Sequence, residues 1–180
     1  MTFNPKPLII IIMERINYII GVIIFVILSA AAIADEKKVR NLSEQDLVVA
    51  STILAEARGE GRGGMYAVAA VISQRALNRK ISPDKVCLER RQFSCWNNIP
   101  RKNFYTYLFS EKEADYAINL AHFVNLGYKQ KKNHIDRKKY KYADHYFNPN
   151  RANPSWKNKA IVKYNIGKHT FMRLKKNPVK

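Results

Sequence analysis
Ile53-Leu-Ala-Glu-Ala-Arg-Gly-Glu60 sets one acid, Glu56, inside a run that otherwise spells buried helix. From Asp46 to Ala57 the side chains are mostly apolar or small, and Leu47, Ala50, Leu54 and Ala57 fall on one face at helical spacing. Val49 and Ile53 occupy another side, next to Glu56. A helix that is apolar around most of its circumference is buried around most of it. A carboxyl group in such a setting loses water, which favours its neutral form. An acid kept protonated near neutral pH can give its proton to a leaving group. The competing assignments are a structural Glu paired with Arg58 or another cation, and a Glu at an exposed helix edge.

On the amino-terminal side of this run, Ser43-Glu-Gln-Asp46 has the form of a capping box and opens the helix. On the other side, Arg58-Gly-Glu-Gly-Arg-Gly-Gly64 is expected to end it, because glycine accepts the left-handed cap and the turn beyond. These glycines do not make a phosphate loop, since no Lys-Ser/Thr follows and no strand precedes them. Residues 65–78 read as a second helix, with Ala67, Ala69, Ala70 and Ala76 allowing close packing and Val68, Val71, Ile72 and Leu77 supplying core area. Ser82-Pro83-Asp84 starts a short helix with proline in its first turn. Ser110-Glu-Lys-Glu113 reads as a second capping box, for a helix reaching about Leu126 and stopped by Gly127. Its buried face is Ala114, Ala117, Ile118, Ala121 and Val124, and His122 on it reads as a packed or surface histidine. The segment 166–171 carries strand formers and reads as part of a hairpin. The predicted fold class is α+β, mainly helical, with a small β-hairpin.

The chain has 180 residues and a formal net charge of +18. That length suits one domain plus a targeting segment, and 47% hydrophobic residues are enough for a core. So large a positive excess calls for anionic surroundings: nucleic acid, an acidic membrane face or an acidic wall polymer. Much of it lies between Lys129 and Lys141, which reads as an exposed loop or partly disordered arm.

Residues 1–34 hold only three charges, Lys6, Glu14 and Arg15. Residues 16–34 are an apolar run of transmembrane length. Ala32-x-Ala34 before Asp35 is a small-x-small cleavage pattern, so residues 1–34 read as an export signal, with an uncleaved signal anchor as the alternative. A linker over 35–41 and a catalytic domain over 42–175 follow. The protein is expected outside the cytoplasm, secreted or anchored to the inner membrane, with membrane association through residues 16–34. The two cysteines, Cys87 and Cys95, are then expected to form a disulfide closing a small loop. No closely spaced His pair accompanies them, so they do not read as a zinc site.

Several separated pieces together resemble the cell wall hydrolase family of the spore cortex-lytic (SleB/CwlJ) type. They are Ala55-Glu-Ala-Arg-Gly-Glu60, Tyr66-Ala-Val-Ala-Ala-Val-Ile72 with Arg75, Gln92-Phe-Ser-Cys-Trp96, His145-Tyr146, Pro154-x-Trp156 and Ile166-Gly-x-His169-x-Phe171. Gln74-Arg75 stands where the family often has Asn-Arg, and the basic run before Ala143 is an addition to its pattern. The resemblance implies a lysozyme-like catalytic domain that cuts the glycan strands of peptidoglycan, with Glu56 as the catalytic acid. A glycosidase normally needs two carboxylates. Glu60 is the obvious second, but the intervening glycines are expected to break the i, i+4 geometry and leave it bracing the loop. A lytic transglycosylase needs one acid, because the C6 hydroxyl of the same muramic acid is the nucleophile and closes a 1,6-anhydro ring. One acid without a convincing partner favours that route.

The expected site is therefore Glu56 as acid then base, with Gln92, Phe93, Ser94, Trp96 and Tyr146 binding substrate; core roles for Phe93 and Trp96 compete. No metal or cofactor is expected. Peptidoglycan is the expected partner, nucleic acid is not, and a monomer is expected. The alternatives are a hydrolytic muramidase, an N-acetylmuramoyl-L-alanine amidase, for which the four histidines are too spread out, and a membrane-anchored basic binding module without catalysis.

Overall fold
Ser43 opens the central helix as anticipated: its hydroxyl accepts the Asp46 N–H at 3.1 Å and donates to the Asp46 carboxylate at 2.7 Å. The computed structural model describes residues 12–13, 15–29, 42–96 and 101–175. The chain divides into two compact units, Met1–Leu42 and Ser43–Lys180. In the first, residues 15–29 form helix α1, whose large apolar side chains are exposed. Among the described residues no helix is long and apolar enough to cross a membrane. The expected cleavage point at 32–35 and the linker lie outside the described residues.

The second unit is built around α2 (Glu44–Ala57). Val48, Val49, Ala50, Ile53, Leu54 and Ala57 are each no more than 1% exposed, so the helix is enclosed almost all round. It packs against α3 (Gly61–Arg79), α4 (Pro83–Leu88), α5 (Arg101–Ser110) and α6 (Ala114–Gln130). Each buried Val, Leu or Ile contributes about 1.5–3 kcal/mol, which makes this cluster the main stabilising element. Asn125 on α6 donates to Asp46 at 2.8 Å and fixes the two helices end to end.

Local signals were only partly right about boundaries. The glycine run does not separate α2 from α3 with a long turn. A single 3-10 turn over Arg58–Glu60 joins them, and α3 begins at Gly61 itself. Ser110 does not cap α6, because its hydroxyl bonds back to Tyr107 O at 2.8 Å as the last residue of α5. Nor does Gly127 stop α6, which runs on to Gln130 and ends on a left-handed Lys131 whose N–H bonds the Gly127 and Tyr128 carbonyls.

The basic run is a pinned loop rather than a free arm. Ile135 and Tyr140 are buried, the Asp136 N–H bonds the Tyr66 hydroxyl at 2.9 Å, and the Tyr140 ring stacks on Tyr66 at 5.3 Å. After it come β1 (His145–Phe147), β2 (Ala160–Ile166) and β3 (His169–Leu174), an antiparallel sheet in the order β1-β3-β2. Tyr146 faces Phe171, and Phe171 faces Tyr164. A column of rings, Tyr66–Tyr140–Tyr164–Phe171–Tyr146, runs from α3 across the sheet with centroids 5.3 to 6.3 Å apart.

Candidate active site
Glu56 sits at the penultimate position of α2, where the helix emerges from its apolar surroundings. It is half-buried rather than enclosed. Its Oε2 accepts the Tyr146 hydroxyl from β1 at 2.9 Å. Burial of that phenol and the neighbouring Glu56 carboxylate hold Tyr146 well above the usual tyrosine range, so it stays a hydroxyl and a donor. Glu56 borders an open cleft.

The cavity at Glu56 has a volume of about 500 Å³. Its helical wall is Ala55, Glu56, Gly59 and Glu60, with Ser94 and Cys95 from a 3-10 turn at Ser94–Trp96. Asn148 and Arg151, just past β1, and Lys168 and His169, at the tip of the β2–β3 hairpin, form the other wall. A smaller hollow of about 320 Å³ involves Gln74, Asn78, Tyr142, Asp144 and Arg173. Its one acid is already engaged, since Asp144 accepts from Leu174 N–H at 3.2 Å and bonds His145 at 2.8 Å. The larger cavity is therefore the one with an acid open to a ligand.

The two acids of the Glu56–Glu60 stretch have separate fates. The Glu60 carboxylate accepts the Lys168 backbone N–H at 2.8 Å and lies 3.6 Å from His169 Nδ1, with its side chain only 9% exposed. Both acids line the cavity, Glu60 held by the hairpin tip and Glu56 by the Tyr146 hydroxyl.

Of the anticipated binding residues, Ser94 is exposed and lines the cavity. Tyr146 reaches it only through Glu56. Phe93 lies in the core at 2% exposure, with the Arg75 guanidinium over its ring at 5.4 Å. Gln92 is tied to Arg79 at 3.0 Å. The Trp96 indole N–H donates to Thr52 on α2 at 2.9 Å, so the ring braces the turn that carries Ser94 and Cys95. Asn148, Arg151 and Lys168 were not singled out from the sequence. Only the hairpin's register and the chain's return after β1 bring them beside Glu56.

The expected disulfide is absent: Cys87 and Cys95 are free thiols. Cys87, fully buried on α4, lies against Thr52, while Cys95 lines the cavity with Glu56. Burial first, with nearby acids adding to it, pushes the Cys87 thiol up to about 12 and raises Cys95 as well. The histidines are dispersed, with His122 near Asp46, His134 on Gln130, His145 on Asp144 and His169 beside Glu60. Among the described residues no three His, Cys, Asp or Glu side chains converge as a metal ion would require.

No curated protein matches the chain. Among solved structures, the catalytic domain of the germination-specific lytic transglycosylase SleB from Bacillus anthracis is similar at 26% identity and a TM-score of 0.51, covering 74% of this chain and 98% of that one. The sequence model of the Cell Wall Hydrolase family matches residues 59–172, starting just after Glu56. That match spans more than half of the sequence, and the chain belongs to the Cell Wall Hydrolase family.

Proposed function
We propose that this enzyme cuts the MurNAc–GlcNAc glycan strand of peptidoglycan as a lytic transglycosylase, with Glu56 as its single acid and base. One observation carries the reading: of the two acids lining the cleft, Glu60 is taken up by the Lys168 backbone N–H and His169, whereas Glu56 meets the Tyr146 hydroxyl, a donor that orients the acid without ionising it. The Glu56 carboxyl gives its proton to the glycosidic oxygen as the C1–O bond breaks. The resulting carboxylate, held by Tyr146, then takes the proton of the muramic acid C6 hydroxyl as O6 bonds to C1. The ring closure leaves a 1,6-anhydro end, and proximity supplies what a second carboxylate would otherwise do. Tyr146 keeps the acid oriented through both steps. The SleB likeness supports this route over a hydrolytic muramidase.

The apolar run over 16–34 supports export or anchoring, which puts the enzyme in the compartment of its substrate. The cationic rim of Arg151 and Lys168 suits an anionic polymer.

The test is a digest of purified peptidoglycan read by mass spectrometry, with Glu56→Gln beside the wild type. Products ending in 1,6-anhydromuramic acid are expected, with the rate lowered about a thousandfold in the variant. Reducing muramic acid ends would replace the transglycosylase by a hydrolase, and released stem peptides on intact glycan would replace both by an amidase.

A further inference from the structure
Glu60 closes the 3-10 turn that follows α2, and its carboxylate reaches a distant part of the chain. Oε2 accepts the N–H of Lys168, 108 residues on. Oε1 stands beside His169 Nδ1, a buried nitrogen with no hydrogen-bond partner of its own. Both residues belong to the two-residue turn and first pair of the β2–β3 hairpin.

Two glycines make room for this contact. Gly167 enters the turn with φ +54, a left-handed conformation that glycine adopts without strain. A Cβ there would overlap Glu60 Oε2 and lie 2.8 Å from its Cδ. On the other side, a Cβ on Gly64 would collide with the Glu60 Cβ. The side chain is thus bounded below by α3 and above by the hairpin tip. The bond to Lys168 is charge-assisted, the stronger kind, and it fixes backbone rather than a mobile side chain.

We infer that Glu60 is a positioning residue, a latch that holds the β2–β3 tip against the turn after α2 so that Lys168 and His169 stand as the cleft wall beside Glu56. The inference rests on reading that cavity as the active site. Releasing the latch moves the wall but leaves Glu56 and its Tyr146 partner in place. The loss then falls on substrate binding, so KM rises while kcat is largely kept.

The experiment measures kcat and KM of the full chain on soluble glycan strands for wild type, Glu60→Ala, Glu60→Gln, Gly167→Ala and the Glu60→Ala/Gly167→Ala double variant. Exchange of the Lys168 amide hydrogen is followed in parallel. Glu60→Ala is expected to raise KM about tenfold with kcat within about threefold of wild type. Glu60→Gln, which keeps an acceptor for Lys168, should recover most of this. Gly167→Ala should mimic Glu60→Ala alone and add less in the double variant, because the overlap has gone and only backbone strain remains. Lys168 N–H should be protected in the wild type and exchange faster in Glu60→Ala.

A thousandfold fall in kcat at unchanged KM in both Glu60 variants would make Glu60 a second catalytic acid and overturn the latch. Lower melting temperature with unchanged kinetics would reduce it to a fold-stabilising contact. Additive effects of the two substitutions, or unaltered Lys168 exchange, would also overturn it. The exchange measurement needs no turnover, so it judges the latch even if the chain proves to cut another bond.

Discussion

The two walls of the cleft are held by different balances of force. The helical wall ends a helix whose other side chains are packed into the core, with Val49 and Ile53 at 0% exposure. The sheet wall buries only Phe171 and Met172 fully, β2 alternating between partly covered and exposed residues, and it adds a few polar joints to that packing. Arg75 Nε donates to Asp144 O at 2.6 Å, Asp144 N–H donates to Met172 O at 2.9 Å, and Glu60 takes Lys168 N–H. Apolar packing therefore sets where the acid is, and packing and hydrogen bonds together set what faces it. Truncation of an apolar group behind the first wall should unfold the protein, whereas loss of a polar joint in the second should weaken or retune it.

The sharpest way to break that contrast is Phe93→Ala beside Ser94→Ala. Phe93 is core and Ser94 is cleft surface, although they are neighbours in sequence. Phe93→Ala is expected to lose about 3–5 kcal/mol of unfolding free energy, and Ser94→Ala to leave the denaturant midpoint unchanged. Equal effects on stability would mean that the turn is not divided between core and cleft as described.

Next in size is Asp144→Asn, which cuts the polar joint at the root of β1. Burial alone would raise the Asp144 carboxyl, but hydrogen bonds from His145 and Leu174 N–H, with the charges of His145 and Arg75, hold it below the usual carboxylate range. A depressed folded value stabilises at pH above the unfolded value of about 3.9, and this contribution is lost as the pH falls through the lower folded value. The variant should be less stable than wild type by about 1.5–3 kcal/mol at pH 6. The gap should close below about pH 4. A gap that persists at pH 2 would show that the joint is not ionic.

The smallest expected effect is that of Tyr146→Phe, which keeps the ring column and removes one hydroxyl from Glu56. Activity on peptidoglycan is expected to fall about tenfold, the cost of one hydrogen bond to a charged group. Stability should change little. A variant as inactive as Glu56→Gln would make the hydroxyl a participant in the chemistry rather than a support for the acid.

The same contrast decides what could be read before the structure. α2 was legible because its signals are local: a capping serine, an apolar surface at helical spacing and one acid out of character. The motif around Glu56 was legible for the same reason. α5 was missed, because Phe104-Tyr-Thr-Tyr-Leu-Phe109 is rich in strand-forming aromatics and only its packing beside α2 makes it helical. β2 was not assigned, although Ala160, Val162, Tyr164 and Ile166 alternate with exposed residues, a lysine and an asparagine among them. In the Gln92–Trp96 stretch binding and core roles competed for Phe93 and Trp96, and the backbone turn that sends Phe93 inward and Ser94 outward could not be read from the residues. Arg151 and Lys168 could not be placed at all, because nothing local tells a surface cation where the chain will return. The disulfide failed on a similar point, since close spacing in sequence says nothing about which neighbours each thiol meets.

The sequence contains two tryptophans. Trp96 is bonded to Thr52 behind the helical wall, and Trp156 lies against His145 and Phe147 beside the sheet wall, with ring centroids 5.0 and 5.7 Å away. Light absorbed at the red edge of the protein spectrum is therefore emitted from the two sides of the cleft and from nowhere else. The protein carries a built-in optical gauge of the cleft, readable during substrate entry without any label.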